Sequence, residues 1–185
     1  HRLNRRQRQM CIRDRSYGPV SQTARILGLE TVPLSRIPTD EAWRIDREEW
    51  AQILVQVDLL MISPQLNPVG WSYTESDRKW LVEFCIKHDI NVISDEVYSG
   101  ADRNWKPFFK EGKNFITISS LTKVHGLGVV RYGWICADRE IIRYIGRSFH
   151  NMEGMMASPT IRIVEQIKDR LNEPVELIEQ YREEN

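Results

Sequence analysis

Phe115-Ile116-Thr117-Ile118-Ser119-Ser120-Leu121-Thr122-Lys123 is the stretch on which the reading of this chain turns. Its first half is short, apolar and rich in β-branched residues, which suits a buried strand; its second half is a polar turn ending on a lysine. A glycine-punctuated segment, Gly126-Leu127-Gly128-Val129-Val130-Arg131, comes next. A lysine delivered just past a strand, with small hydroxyl residues before it and an arginine after it, is a candidate covalent anchor.

Working outward, helix and strand patterns alternate. Pro19 to Leu27 reads as a helix stopped at Gly28, Glu30 to Leu34 as a strand, and Asp46 to Gln56 as a helix with Trp50, Ile53 and Leu54 facing inward. Val57 to Ser63 reads as a strand ended by Pro64, and Thr74 caps a helix through Lys87 whose inner side carries Trp80, Leu81, Phe84 and Cys85. Ile90 to Ser94, Phe115 to Ser119 and Val129 to Cys136 read as three more strands, and Ile161 to Tyr181 as helical with a break at Pro174. Short buried strands separated by helices imply an α/β fold, a mainly parallel sheet with helices on both faces. Ligands of such sheets gather at the carboxyl ends of strands. There the sequence puts Asn67, in the turn Pro64 to Gly70, then Asp95 with Tyr98, then Ser120 with Lys123.

The chain has 185 residues, of which 41% are hydrophobic, enough for one domain or a large part of one. It has no apolar run of the ~18 residues that span a bilayer and no signal-peptide core, so no membrane partner is expected and the setting is cytoplasmic. Cys11, Cys85 and Cys136 make no metal pattern with His1, His88, His125 and His150, and reduced thiols are expected. No metal site is assigned.

Residues 1–15 read differently from the rest. Arg5-Arg6-Gln7-Arg8-Gln9-Met10-Cys11-Ile12-Arg13-Asp14 is the in-frame translation of a common transposon-based sequencing adapter, and 1–15 is therefore expected to be a non-native segment. Setting aside its six arginines and Asp14 leaves 20 basic against 25 acidic residues, a net charge of −5. A mildly acidic chain gives no reason to expect nucleic acid as a partner.

Asn67-Pro68-Val69-Gly70, then Ser94-Asp95-Glu96-Val97-Tyr98, then Ser120-Leu121-Thr122-Lys123 with Arg131 eight residues on, make a set whose order and spacing are specific. On these motifs the stretch from Ser16 to Pro159 resembles the class I and II aminotransferases, the fold-type I enzymes that use pyridoxal 5'-phosphate. The resemblance implies a fold-type I large domain, truncated at both ends: residues 16–159 as a partial cofactor-binding domain, and 160–185 as a helical segment leading toward a further C-terminal domain. It also implies an inactive fragment whose full-length form is a homodimer acting on an amino acid and a 2-oxo acid.

The same resemblance gives each residue a role. Lys123 matches the lysine that holds the cofactor aldehyde as a Schiff base and then moves the proton of the substrate's Cα. Asp95 matches the carboxylate that keeps the pyridine nitrogen protonated, and Asn67 and Tyr98 the pair that hydrogen-bonds the 3'-oxygen. Ser120 and Arg131 match phosphate ligands, the guanidinium taking two oxygens together. The competing role for Arg131 is an ion pair with Glu96 or Asp102. Two further readings of function stand beside transamination: another reaction of the same cofactor, such as β-elimination or decarboxylation, and an aminotransferase-like sensing domain of a transcriptional regulator. His125 reads as an ordinary loop histidine, Trp71 and Tyr73 as packing residues, and Met152, Met155 and Met156 as flexible filler.

Overall fold

The computed structural model describes residues 9–13, 18–38, 43–65, 72, 74–102, 104–152, 158–171, 176 and 180. Asn67 and most of its turn, Trp71, Tyr73, Met155 and Met156 lie outside the described residues. The chain forms two compact units, 1–95 and 96–185.

The first unit contains β1 (Gln9–Arg13), α1 (Gly18–Ile26), β2 (Glu30–Leu34), the two-residue strands β3 (Ile37–Pro38) and β4 (Trp43–Arg44), α2 (Arg47–Leu54), β5 (Leu59–Ile62), α3 (Glu75–Lys87) and β6 (Asn91–Asp95). Its main sheet runs β2-β1-β5-β6 with every pairing parallel: Cys11 stands opposite both Val32 and Leu60, and Leu60 opposite Val92. Parallel neighbours require a crossover, which α1, α2 and α3 supply. β3 and β4 pair antiparallel as a separate ladder. Backbone pairing is indifferent to side-chain identity, so the ladder around Gln9–Arg13 is compatible with either origin of that segment.

Both faces of β5 are occupied. Leu60 and Ile62 are buried, while Leu59 and Met61, at the alternating positions, pack with Ala24 of α1 and Leu29. α1 ends as its glycine suggests, Gly28 taking a φ of 73° that costs an L side chain energy and costs glycine nothing. α2 starts where the Asp46 carboxylate accepts from the amides of Glu48 and Glu49, and its Trp50 is fully buried with the indole N–H donating to the Ser35 carbonyl at 2.7 Å. Thr74 caps α3 by accepting from the Asp77 amide.

On α3 the structure departs from the amphipathic reading. Leu81 and Cys85 are buried as expected, but Trp80 and Phe84 are only half-buried, and the buried set includes Asp77 and Arg78. The reason for Asp77 is Arg47 of α2: its Nε and Nη2 donate to Asp77 Oδ1 at 3.0 and 2.8 Å, Nη2 also donates to Ser76 Oγ at 2.6 Å, and the guanidinium lies 5.9 Å from the Trp80 ring centroid. A two-pronged cation joins the first turns of two helices, and periodicity alone does not reveal such a pair.

Burial pushes the Cys85 thiol up from 9.0 to about 12. As pH rises past 9.0 the thiol of the unfolded chain loses its proton while the native thiol keeps it. Stability from this group therefore falls between pH 9.0 and about 12. The expected outcome is that a thiol reagent at pH 8 leaves Cys85 unlabelled in the folded protein and labels it on denaturation, read by peptide mass. Rapid native labelling would contradict the burial.

The second unit contains β7 (Phe115–Ser120), β8 (Gly133–Cys136), α4 (Arg139–Met152) and α5 (Ser158–Ile167). β7 and β8 pair antiparallel, from Thr117 opposite Cys136 to Ser120 opposite Gly133. Pairing is thus mixed and mostly parallel, within the expected α/β class. The strand read as Val129 to Cys136 starts only at Gly133, because residues 128–130 form a 3₁₀ turn and Arg131 sits in the left-handed region at φ 54°. The β-branched pair Val129-Val130 favours strand locally, but the Val130 amide donates to Leu127 O and closes the turn. α4 carries no expectation from the sequence, although Asp138 offered a signal: its carboxylate accepts from the Glu140 amide at 2.8 Å, ahead of Ile141, Ile142, Ile145 and Phe149. No helix among the described residues is long and apolar enough to cross a membrane.

Candidate functional site

Asp95 is the last residue of β6 in the first unit, half-buried and one position beyond the Ile62–Ser94 pairing. The strand's pleat sends Ser94, fully buried, to one face and Asp95 to the other. Asn67 lies outside the described residues.

The second unit gathers the other four. Tyr98 precedes a 3₁₀ turn, Ser99–Ala101, and Ser120 ends β7. Lys123 lies three residues past that strand, with its Nζ 5.8 Å from the centroid of the Tyr98 ring. A cation at this distance from an aromatic face is attracted by the ring quadrupole. The turn Ser99–Ala101 lies beside the Lys123 loop, a Cβ built at Gly100 standing in ordinary van der Waals contact, 3.9 Å, with both methyls of Val124.

Backbone bonds fold the segment from Ser120 to Arg131 back on itself. Leu121 N donates to Tyr132 O at 3.1 Å, Leu127 N to Leu121 O at 2.9 Å, and Gly126 N to Lys123 O at 3.1 Å. Leu121, fully buried, anchors the loop from below, and this brings Arg131 back to the strand end that carries Ser120. The closure is tight at Gly133, where a Cβ would stand 3.0 Å from the Ser119 carbonyl oxygen. Arg131 pays a backbone strain of about 1 kcal/mol for its left-handed conformation, a cost that tends to mark functional turns. α5 abuts the same loop, its Thr160 hydroxyl donating to Val130 O at 3.3 Å.

Charge in this cluster is one-sided. Lys123 and Arg131 are both exposed, and among the described residues neither makes an ion pair. The carboxylates weighed as partners for Arg131 are engaged elsewhere: Asp102 accepts from the Asn104 amide, and Glu96 from Trp105, Phe108 and Thr117. Ser120 Oγ accepts from the Thr122 amide at 3.3 Å, which leaves its own proton for an outside acceptor. Two cations and a hydroxyl donor are thus carried by one backbone-closed loop.

His125 faces the Leu171 carbonyl, and its ring is pulled below the usual histidine range chiefly by burial, with that carbonyl opposing. The Cys136 thiol of β8 is raised, first by burial and then by the Glu96 carboxylate. Glu96, which the sequence reading weighs only as an ion-pair partner for Arg131, is instead buried among neutral donors. The only signal for it was its place between Asp95 and Tyr98, where a charged residue is ordinarily read as a solvated edge.

The profile of the family described as Aminotransferase class I and II matches residues 3–183. The chain is 26% identical over 141 residues to kynurenine–oxoglutarate transaminase 3 of Bos taurus, covering 69% of this chain and 31% of that protein. It is 26% identical over 171 residues to histidinol-phosphate aminotransferase of Pyrococcus furiosus, covering 91% of this chain and 48% of that protein. The fold is similar to that of the PLP-bound C-S lyase from Staphylococcus hominis, with a TM-score of 0.81 at 18% identity over 95% of this chain and 46% of that one. The chain thus spans between about a third and a half of the length of these relatives. With nearly its whole length inside the profile, and with the lysine loop and strand order described above, the chain belongs to the aminotransferase class I and II family.

Proposed function

We propose that this chain carries the pyridoxal 5'-phosphate-binding core of an aminotransferase, whose full-length form moves an amino group between an amino acid and a 2-oxo acid. The observation that supports the reading is the Lys123 amine beside the Tyr98 ring, on a backbone-closed loop whose chain also bears Ser120 and Arg131. It fits the cofactor's chemistry: two cations without carboxylate partners among the described residues and a hydroxyl with a spare proton suit a phosphate, and an exposed amine suits an aldehyde. When bound, the cofactor supplies a cationic ring that accepts negative charge from the substrate's Cα.

The chain's own groups do the rest in this reading. Ser120 and Arg131 hold the phosphate, Arg131 through two parallel N–H donors. Lys123 holds the aldehyde carbon and, once displaced, takes the Cα proton on Nζ. Asp95 keeps the proton on the pyridine nitrogen, and Tyr98 and Asn67 donate to the 3'-oxygen. The homodimer rests on the family resemblance, and the cytoplasmic setting on the sequence reading of reduced thiols with no signal-peptide core.

The test uses the full-length protein with added pyridoxal phosphate. Borohydride should bleach its visible band and fix the cofactor to the peptide that contains Lys123; label on another lysine removes the anchor assignment. With an amino acid and a 2-oxo acid supplied together, both partner products should accumulate in equal amounts. Release of ammonia or carbon dioxide in their place would favour the lyase or decarboxylase reading.

A further inference from the structure

Glu96 is a carboxylate only 4% exposed, set between Asp95 and Tyr98. Oε1 accepts from the Phe108 amide and from Thr117 Oγ1, each at 2.9 Å, and Oε2 accepts from Trp105 Nε1 at 2.9 Å. Its backbone is equally engaged: the amide donates to Ile118 O at 2.8 Å, and the carbonyl accepts from Ser99 N at 3.1 Å and Ser119 Oγ at 3.2 Å. Every polar atom of the residue is spent inside the protein. The side chain ties Trp105 and Phe108 to the middle of β7, and the main chain ties the Tyr98 turn to the end of β7, from which Ser120 and Lys123 follow.

Burying a carboxylate with no cation paired to it among the described residues is expensive, and charge-assisted bonds from three donors offset that cost. The donor set also explains why an amide is a poor substitute. All three groups present hydrogens, so the NH₂ of a glutamine in this place would face one of them donor to donor. An acceptor-only side chain of this length is what the pocket requires.

We infer that Glu96 is a positioning residue for the Tyr98–Lys123 pair: its buried carboxylate pins the residue against Trp105, Phe108 and Thr117, and so fixes the main chain that holds the turn bearing Tyr98 against the strand that delivers Lys123. This rests on the cofactor reading above. Glu96 acts through Tyr98, whose hydroxyl, by that reading, stabilises the anionic 3'-oxygen and lowers the pH at which the lysine-bound cofactor loses its proton.

The experiment is a pH titration of the visible absorbance of the full-length protein loaded with pyridoxal phosphate, with borohydride trapping and the melting temperature recorded alongside. Tyr98→Phe sets the scale: loss of one hydrogen bond should raise the midpoint by about 0.5 to 1 unit. Glu96→Gln should move the midpoint the same way, and the double variant should move it little beyond either single change, because two residues acting through one contact do not add. Trp105→Phe, which removes one donor and leaves Glu96 in place, should give a smaller shift of the same sign and serves if Glu96→Gln does not fold. A lower melting temperature with an unchanged midpoint in the folded variants would make Glu96 merely structural and overturn the inference. A wild-type protein that traps no cofactor at Lys123 would overturn the cofactor reading as well, so the two failures are told apart.

Discussion

Lys123→Ala is expected to cut turnover of the full-length protein by about 10⁴-fold or more while leaving most of its affinity for pyridoxal phosphate. The lysine is assigned two duties, covalent anchor and carrier of the Cα proton, and loss of a positioned proton carrier alone costs up to about 10⁴-fold. The phosphate contacts assigned to Ser120 and Arg131 do not depend on the amine, and the loop that presents them is closed by backbone bonds and by buried Leu121. Single-turnover kinetics and equilibrium dialysis of the cofactor would measure the two quantities separately. A variant within tenfold of the wild-type rate would show that another group moves the proton.

Asp95→Asn and Asp95→Ala are expected to lower turnover by about 10²- to 10³-fold, the range seen when one electrostatic partner is removed from a developing charge. The asparagine variant is the more informative, since it keeps the shape at the end of β6 and removes only the charge that would hold a proton on the ring nitrogen. Its deficit should appear in kcat more than in KM, because the ring's electron demand matters most in the transition state. Unimpaired kcat in Asp95→Asn would remove Asp95 from the site.

The α/β class was legible because its signals are local. Glu30–Leu34 was found with its full bounds, α3 began one residue past the Thr74 cap, and β7 extended only one residue beyond the expected Ser119. Turn chemistry, capping side chains and apolar runs act over a few residues, so a linear reading detects them. The strand expected from Val129 failed for the opposite reason. There the local β-branched preference was overruled by hydrogen bonds to Leu127 and by the closure of the loop on Leu121, which lies six to eleven residues away. α4 was overlooked although Asp138 and the isoleucine spacing announced it, which is a gap in the reading and not in the sequence.

For the site, the residue types and their order along the chain were set by sequence: a lysine after Ser-x-x, an Asp-Glu-x-Tyr at the end of a strand, an arginine eight residues past the lysine. What they touch was decided in three dimensions. The amine of Lys123 lies over the Tyr98 ring across 25 residues of chain, the chain past a left-handed Arg131 returns to pair Gly133 with Ser120, and Glu96 is drawn inward by donors from positions 105, 108 and 117. Propensity and spacing carry information about neighbours in sequence. The burial of a carboxylate, or the freedom of a cation from an acid, depends on which distant groups converge on it, and only the folded chain brings those groups together.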